Sequence, residues 1–495
     1  MTHDGFLLGI DIGTSGCKAV VFGYDGKKIA GASMTYPLIF PQSGWMELDA
    51  AQVTGCVMEC VKKCVCDCDK DAITALAVSS QGEAVIAADR SGNPLMNAIV
   101  TFDSRNRDEC AWFSQSFDKN RIMRITGAPI HSMFSLTKIL WIKNNRHDVM
   151  NSVWKFFCFG DYISYKLGAD PVIDHSMAAR TMAFDIEIKK WSNEILDACG
   201  FSIGIFPETA ASGTVIGKVS QEAAELTGLN PGTVIVAGGH DQACCALGTG
   251  VLSDGMAMDS LGTTESIVCV NRDLHVTEDM VRNNLPCYPY VVGGMYAYLS
   301  FLSTSGGILK WFHNGILSES IGYADYDKAA AAECPGYSGL LLLPHFAGSG
   351  TPYLDDQSKG AIAGLTLGTS KYQIYKAVLE STCLESRLNI ECMEKSGIKA
   401  KKLYCVGGGA RSPLWLQLKA DITGKAVVSR NITEYGCLGA AILAGMGAGI
   451  YKDAGSAFNG LQAKSTEYRP DGEKKAMYDD IYPKYLQLYD ALKSI

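Results

Sequence analysis

The segment VAGGHDQACCALGTG, residues 236–250, carries one acidic and one imidazole side chain directly after a short apolar run. Asp241 has no second carboxylate close to it in the sequence, so the pattern is not that of an acid pair. A lone carboxylate in a small-residue turn can serve as a general base, bind a metal ion, or only shape the turn. His240 lacks the spaced partners of a zinc site, so we expect it to pack or to hydrogen-bond within the turn.

The segment DIGTSGCK, residues 11–18, has the residue types of a phosphate-binding turn. Gly13 and Gly16 leave backbone N–H groups unobstructed, and the intervening hydroxyls of Thr14 and Ser15 add donors. Two charged side chains flank this turn. Asp11 suits a Mg²⁺ that is held largely through water, and Lys18 suits the negative charge of a phosphate. A plain β-hairpin with an acidic edge residue is the alternative.

Two further glycine-rich turns follow in the second half of the chain. SLGTTES, residues 260–266, repeats the glycine–threonine turn with Gly262 and Thr263. CVGGGARSPLW, residues 405–415, follows an apolar run and lets a flat base or ribose approach the backbone at Gly408 and Gly409. It lacks the spacing of a dinucleotide fingerprint, and a structural strand-to-helix turn stays open as its alternative.

The elements that position these turns alternate between strands and helices. Residues 6–36 predict three antiparallel strands with hairpins at Gly13–Gly16 and Asp25–Gly26, and residues 255–273 repeat the strand–turn–strand pattern. Further strands are predicted at 72–80, 232–239 and 401–409, and helices at 135–145 and 372–397. The sequence therefore predicts an α/β protein with two duplicated domains, residues 1–250 and 251–495, and a binding cleft between them.

Composition excludes several classes of protein. The 495 residues include 47% hydrophobic and 19% charged residues, an ordinary globular balance, and the net charge of −8 argues against nucleic acid as the partner. The start lacks a basic, apolar leader and no run approaches the length of a membrane helix, so we expect a cytoplasmic protein that does not bind membranes. In the cluster Cys56–Cys68, Cys56, Cys60 and Cys64 recur every four residues on one helix stripe, as small buried hydrophobes do, and no second half of a zinc site follows them.

Several separated stretches resemble the FGGY family of carbohydrate kinases. MFSLTKILWIKNN (133–145) and GAIAGLTLGTSKYQIYKAVLE (360–380) are similar to its two signatures. SGWMELD (43–49), FAGSGTPYLDD (346–356) and YGCLGAAILAG (435–445) are similar to other family segments and occur in the family's order. The resemblance implies two ribonuclease-H-like domains of the actin-like ATPase fold, flanking a catalytic cleft.

The resemblance also implies the transfer of the γ-phosphoryl group of ATP to a carbohydrate hydroxyl, with Mg²⁺ as cofactor. In that frame Asp241 resembles the catalytic base, and Asp11 resembles the acid that organises the metal. A base that accepts a proton only as the new bond forms needs no more than an ordinary carboxylate pKa. The nucleotide contacts implied by the resemblance are Gly13, Thr14, Ser15, Lys18, Gly262, Thr263, Gly306, Gly408 and Gly409.

The acceptor is the least defined part of this interpretation. The resemblance implies polar contacts from the loop SSQGEAV (79–85), from IVTFDSR (99–105) and from the residue after the base: Gln81, Glu83, Asp103 and Gln242. Glycerol kinases carry an arginine at Gly82, an aromatic residue at Met133 and a tryptophan at Thr101. Their absence predicts a wider pocket and a longer acceptor than glycerol.

A xylulokinase-like enzyme acting on a ketopentose is our first interpretation, although the Met–His pair of xylulokinases is absent at Gln81–Gly82. A gluconokinase and a tetritol or pentitol kinase stay open. A non-catalytic sugar and ATP sensor is a third alternative, which the retained acids disfavour. An actin- or Hsp70-like ATPase would instead hydrolyse ATP without an acceptor. The resemblance leaves a homodimer open, and nothing in the sequence identifies its interface.

Overall fold

A computed structural model describes residues 5–317, 321–461 and 464–493, and two large mixed β-sheets dominate them, one from each half of the chain. The strands of the first half are β1 (Phe6–Ile12), β2 (Gly16–Gly23), β3 (Lys28–Thr35), β4 (Glu47–Leu48), β5 (Ile73–Ser80), β6 (Ile86–Ala88), β7 (Ala98–Ile99), β8 (Lys155–Phe157), β9 (Val172–Asp174), β10 (Phe184–Asp185), β11 (Lys190–Trp191), β12 (Glu208–Ala210), β13 (Val215–Lys218) and β14 (Val234–His240). Those of the second half are β15 (Met256–Leu261), β16 (Glu265–Asn271), β17 (Cys287–Pro289), β18 (Tyr296–Leu302), β19 (Leu341–Leu343), β20 (Ala361–Ala363), β21 (Lys402–Val406), β22 (Ala426–Arg430) and β23 (Ser465–Tyr468).

Helices cover both sheets and connect their strands. In the first half they are α1 (Ala50–Cys66), α2 (Arg107–Ser116), α3 (Lys119–Thr126), α4 (Ser135–Asn145), α5 (His147–Ser152), α6 (Phe159–Leu167), α7 (His175–Ala179), α8 (Asn193–Cys199), α9 (Gln221–Thr227) and α10 (Asp241–Gly248). In the second half they are α11 (Glu278–Arg282), α12 (Gly306–Trp311), α13 (Tyr323–Glu333), α14 (Lys371–Lys395), α15 (Pro413–Thr423), α16 (Tyr435–Gly447), α17 (Ala454–Asn459) and α18 (Gly472–Leu492).

The two sheets have the same strand plan. The first has the order β13-β14-β5-β1-β2-β3, with β1, β2 and β3 antiparallel and β5 and β14 running parallel to β1. The second has the order β17-β18-β16-β15-β21-β22-β23, with β15, β16 and β18 antiparallel and β21 and β22 parallel to β15. The duplication predicted from the two glycine–threonine hairpins is therefore present in the fold.

Two helices cross where the halves meet. Helix α10 follows the last parallel strand of the first sheet, and α16 follows the corresponding strand β22 and packs on the first sheet against β1. A Cβ atom built on Gly439 would lie 1.9 Å from the carbonyl oxygen of Cys244, and one on Gly248 would lie 2.1 Å from that of Tyr435. Glycine is required at these positions because the two helix backbones are in contact.

The predicted elements are confirmed with small shifts at their ends. Helix α4 has the predicted bounds, and α14 ends two residues before Gly397. Strands β5 and β21 lie inside the predicted ranges, and β14 extends one residue beyond its predicted end. The cysteine stripe lies on α1, where Cys60 and Cys64 are buried and pack in an apolar core. Within the described residues no three or more His, Cys, Asp or Glu side chains come together as metal ligands, and no helix is long and apolar enough to cross a membrane.

The contact between α10 and α16 predicts a large penalty for one added methyl group. Gly439→Ala must push two helix backbones apart, so we expect it to lower the free energy of unfolding by about 1–3 kcal/mol. Gly55→Ala is the matched control, because Gly55 is an exposed residue inside helix α1 with no neighbour within 4 Å. That change should stabilise the protein by about 0.5–1 kcal/mol. Thermal unfolding checks both, and equal midpoints would contradict the helix contact.

Candidate active site

The first glycine–threonine turn closes the β1–β2 hairpin and is held rigidly from below. The N–H of Gly13 donates to the carbonyl of Gly16 at 2.9 Å. The Tyr36 hydroxyl lies 2.6 Å from the carbonyl oxygen of Gly13 and 3.0 Å from that of Gly16, and its proton is shared between them. Thr14 donates through its hydroxyl to Gln81 Oε1 at 3.1 Å. The Gln81 amide donates in turn to the Gly13 carbonyl at 3.2 Å, so this predicted acceptor contact also braces the turn. The hydroxyl-bearing Ser15 is exposed at the tip.

Asp11 and Lys18 are cross-strand neighbours at the base of this turn. The Ser79 hydroxyl donates to Asp11 Oδ1 at 2.6 Å, and burial raises the pKa of Asp11 above its usual value. Lys18 Nζ lies 2.6 Å from the Glu434 carboxylate, which belongs to the residue just before α16. The predicted phosphate ligand is therefore ion-paired in this conformation, across the boundary between the two halves of the chain.

The second turn joins β15 to β16 and has a comparable support. The Gly262 N–H donates to the carbonyl of Thr264 at 3.0 Å, and the Gly306 N–H at the start of α12 donates to the Gly262 carbonyl at 2.9 Å. The Ser305 N–H donates to the Thr263 carbonyl at 2.9 Å. These bonds tie the turn to the start of α12 and hold it in one conformation.

Asp259 lies one residue before Ser260, which is the residue of the second hairpin that corresponds to Asp11. Its carboxylate is fully buried and lies 2.9 Å from Lys419 Nζ, which also lies 2.5 Å from Glu265 Oε1. The Ser305 hydroxyl donates to the other Glu265 oxygen at 2.7 Å. This second aspartate is thus neutralised inside the protein, whereas Asp11 is only partly buried. The duplicated halves therefore contribute one acid to structure and one to the cleft.

A cavity of about 1190 Å³ opens beside the second turn. Five of the predicted nucleotide contacts line this one cavity: Gly262, Thr263, Gly306, Gly408 and Gly409. Aromatic side chains and one acid also line this cavity, among them Tyr375, Trp415 and Asp327. Apolar and aromatic walls with backbone N–H groups at one end suit a nucleotide.

Asp241 is the first residue of α10, so the prediction that it lies in a turn is wrong. Strand β14 passes directly into the helix, and His240 is the last strand residue. The Asp241 side chain is 30% exposed, and its Oδ1 accepts the N–H of Gln242 at 2.6 Å. His240 Nε2 lies 3.3 Å from the same oxygen. Oδ2 is left without a hydrogen bond from the described residues of the protein.

The pKa of Asp241 is raised to about 7, which corrects the expectation of an ordinary carboxylate. Burial is the largest cause, followed by the negative charges of Asp11 and Glu83, while the Gln242 N–H and the Arg180 guanidinium act in the opposite sense. The sequence shows no acid near Asp241, because both carboxylates come from strands and loops more than 150 positions away. A base with a pKa near the working pH is well matched to proton transfer.

Glu83 lies next to this site but its carboxylate is engaged within the protein. Its Oε1 accepts the Arg180 Nε–H at 2.5 Å, and its Oε2 accepts the Thr101 hydroxyl at 3.2 Å. Both partners of the Glu83–Arg180 ion pair are buried, and Glu83 has a left-handed backbone with φ of +62°. The fully buried Lys138 donates to the Glu83 carbonyl at 3.0 Å and holds this loop in place.

Sequence reasoning missed two residues of this cluster, Arg180 and Tyr288. The absence of an arginine at Gly82 does not widen the pocket there as expected. A Cβ atom on Gly82 would lie 2.9 Å from the His240 ring and 3.3 Å from Arg180, so these side chains already take the space. The Tyr288 hydroxyl lies 3.3 Å from His240 Nδ1. No local pattern marks either residue, because only the tertiary fold brings them to the site.

Asp103 forms a separate, adjacent cluster. Arg105 Nη2 donates to Asp103 Oδ2 at 2.7 Å and to Glu47 Oε1 at 2.8 Å, and the Met46 N–H also donates to Asp103. The guanidinium of Arg105 stacks 3.8 Å above the ring of Trp45. One nitrogen of Arg105, Nη1, is buried without a hydrogen-bond partner, as is Oε1 of Gln242. Both atoms are buried polar groups for which the described residues provide no hydrogen-bond partner.

Comparisons with known proteins agree with this architecture. Residues 6–248 match the model of the FGGY family of carbohydrate kinases, N-terminal domain, and residues 257–448 match the C-terminal domain of the same family. A xylulose kinase from Staphylococcus xylosus is 26% identical over 98% of this chain and 100% of its own length. Solved structures of a gluconate kinase and of a ligand-bound xylulose kinase, both from Lactobacillus acidophilus, are each 25% identical with a TM-score of 0.92 and cover 99% of this chain and 98% of their own.

The duplicated sheets and the cleft between them are those of the actin-like ATPase fold. The chain belongs to the FGGY family of carbohydrate kinases, as the sequence resemblance implied. It is accordingly an ATP-dependent phosphotransferase with an alcohol group of a carbohydrate as acceptor.

The raised pKa of Asp241 predicts a pH profile for the kinase activity. A base must be ionised to accept a proton, so kcat/KM for the acceptor should fall about tenfold per pH unit below pH 7. Glu83→Gln removes a neighbouring negative charge and should move this limb to lower pH. Glu222→Gln, on an exposed helix, is the matched control and should leave the limb unchanged. A limb below pH 5 in the unmodified enzyme would contradict the assignment.

Proposed function

We propose that this enzyme phosphorylates an uncharged ketopentose, with C4–C6 polyols as weaker substrates, and that Asp241 is its catalytic base. The charge balance around Asp241 carries the proposal for the acceptor. Arg180 is paired with Glu83, and Arg105 is paired with Asp103 and Glu47.

Lys138, the further buried cation of this region, donates to two backbone carbonyls, those of Glu83 and Met133. Among the described residues, each of these cations at the predicted acceptor loops, residues 79–85 and 99–105, is thus already bound by the protein. An aldonate would bring a carboxylate to a site that offers it no unpaired cation and that contains Asp11, Glu83 and Asp241. Burying an unpaired charge there is costly, so a neutral acceptor fits better. The similarity to xylulose kinases supports a ketopentose among the neutral acceptors.

In the proposed reaction Asp241 accepts the proton of the acceptor hydroxyl as its oxygen attacks the γ-phosphorus. Such a transfer has a loose transition state, so positioning and charge neutralisation contribute most of the rate. The backbones of the Gly13–Gly16 and Gly262–Thr264 turns face the phosphates, with the hydroxyls of Ser15 and Thr263 as further donors and that of Thr14 once it leaves Gln81. Gly306, Gly408 and Gly409 contact the nucleotide, and Lys18 exchanges Glu434 for a phosphate oxygen.

Asp11 is the proposed ligand for Mg²⁺, and its chemistry fits that ion. One of its oxygens accepts the Ser79 hydroxyl and the other accepts no hydrogen bond from the described part of the chain. Mg²⁺ keeps several waters and is often bound by one carboxylate together with substrate phosphates, so a cage of three protein ligands is not needed. When bound, the ion neutralises charge on the transferring phosphoryl group.

Both substrates are cytoplasmic metabolites, and we propose the cytoplasm as the site of the reaction.

Acceptor contacts complete the proposal. Gln81 is fixed by the first turn, and its position between that turn and Gly82 suits a contact with the hydroxyl next to the reacting one. Gln242 has a buried amide oxygen without a hydrogen-bond partner, and a hydroxyl of the sugar substrate can donate to it. Glu83 and Asp103 act mainly through the arginines that they hold, Arg180 and Arg105.

Removing the base tests the proposed mechanism. Asp241→Asn keeps the shape of the side chain but cannot accept a proton, so kcat should fall about 10²–10⁴-fold while KM for ATP stays within a few-fold. Asp197→Asn, on the exposed face of α8, is the matched control and should keep full activity. A coupled ADP-release assay measures both variants. Full turnover by Asp241→Asn would reject the base.

An acceptor panel tests the proposed substrate class. With Mg·ATP fixed, ketopentoses should give the highest kcat/KM and gluconate a value at least about 100-fold lower, since an unpaired carboxylate costs several kcal/mol at a buried site. Glu83→Gln releases the guanidinium of Arg180 and should raise the ratio of gluconate to ketopentose kcat/KM. Gluconate as the best substrate of the unmodified enzyme would contradict the proposal.

A further inference from the structure

His240 lies between the proposed base and a tyrosine from the second half of the chain. Its Nε2 is 3.3 Å from Asp241 Oδ1, and its Nδ1 is 3.3 Å from the hydroxyl oxygen of Tyr288. The ring is buried and meets the Tyr288 ring edge-on, with centroids 5.4 Å apart and an interplanar angle of 87°. The two ring nitrogens of one imidazole thus face the carboxylate and the phenol.

The protonation of these groups permits only one direction of hydrogen bonding. Burial, and then the positive charge of Arg180, lower the pKa of His240 well below its usual value, so the ring is neutral. A neutral imidazole has one N–H donor and one acceptor nitrogen, whereas an ionised carboxylate only accepts. The proton therefore belongs on Nε2, towards Asp241, and the Tyr288 hydroxyl donates to Nδ1. The opposite tautomer would direct a lone pair at the carboxylate oxygen.

The imidazole is held from several sides. The His240 backbone N–H donates to the Ser176 hydroxyl at 2.9 Å, which fixes the end of β14. Gly82 leaves no room for a side chain beside the ring, and the guanidinium of Arg180 lies 5.5 Å from the centre of the Tyr288 ring. A ring enclosed in this way has little freedom to flip, so its tautomer is set by its two polar neighbours.

We propose that His240 and Tyr288 are positioning residues for the base, which rests on the proposed role of Asp241. The N–H of Gln242 donates to Asp241 Oδ1 and His240 Nε2 lies 3.3 Å from the same oxygen, which leaves Oδ2 to take the proton of the acceptor hydroxyl. Tyr288 acts through His240 by fixing its tautomer. In this conformation the Tyr288 contact is a long hydrogen bond and the Asp241 contact is a charge contact, and the proposal requires both to tighten when substrates close the cleft.

This chain of contacts makes the base depend on both halves of the molecule. Tyr288 lies on β17, and the N–H of its neighbour Cys287 donates to the carbonyl of Gly127 in the first half at 2.7 Å. A Cβ atom on Gly127 would lie 2.0 Å from the Cys287 carbonyl oxygen, so the two backbones are in contact. The second half of the chain is therefore needed to orient an acid that the first half supplies.

Kinetics of four variants test this inference. Tyr288→Phe keeps the ring and should lower kcat about fivefold, with KM for ATP unchanged, because one neutral hydrogen bond is lost. His240→Leu should cost about tenfold or more, and His240→Gln should recover part of that loss by donating to Asp241. The double variant Tyr288→Phe/His240→Leu should be no slower than His240→Leu alone. Tyr290→Phe is the control, since Tyr290 is buried nearby but donates to the Val251 carbonyl.

Nitrogen-15 NMR of histidine-labelled enzyme gives an independent readout that a purely structural role would not move. The His240 signals, assigned with His240→Gln, should show the Nε2–H tautomer at pH 8, where Asp241 is mostly ionised, and Tyr288→Phe should reduce its population. An Nδ1–H tautomer, an unchanged kcat in Tyr288→Phe, or multiplying losses in the double variant would overturn the inference. Activity retained by Asp241→Asn would instead remove the proposed base, so the two failures are distinguishable.

Discussion

The contact between α10 and α16 is the constraint on which the rest of the site depends. The helices cross without intervening side chains, because Gly439 meets the Cys244 carbonyl and Gly248 meets that of Tyr435. Asp241 begins the first of these helices, and Gly436, near the start of the second, lies against the carboxylate of Asp11. The separation of the two acids is therefore set by helix packing, and it does not depend on a flexible loop.

That fixed separation has an electrostatic consequence. Asp11 and Glu83 raise the pKa of Asp241, and Arg180 opposes them, so the strength of the base is a property of the whole cluster. Every charge of this cluster comes from a strand end, a helix end or a loop between them. The second hairpin carries Ser260 at the position of Asp11, and the buried acid beside it, Asp259, is paired with Lys419. One plan of strands thus supports a reactive carboxylate in one half and a structural one in the other.

Sequence reasoning predicted the parts of this molecule that are encoded locally. The glycine–threonine hairpins, helix α4 and the lone acid of residues 236–250 follow from periodicity and turn chemistry. Arg180 and Tyr288 were missed because they reach the site across 97 and 48 positions from their partners Glu83 and His240, and such tertiary contacts leave no periodic signal. The turn expected at Asp241 failed for a related reason: burial within the interface between the halves allows a strand to pass directly into a helix.

The central claim is that the Asp241 carboxylate faces both the acceptor hydroxyl and the terminal phosphate of ATP. A crystal structure of the enzyme with Mg²⁺, a non-hydrolysable ATP analogue and the best acceptor measures this directly. We predict that Asp241 Oδ2 lies within hydrogen-bond distance of one acceptor hydroxyl, and that this oxygen is in line with the γ-phosphorus. A carboxylate turned away from the acceptor in the closed complex would contradict the account.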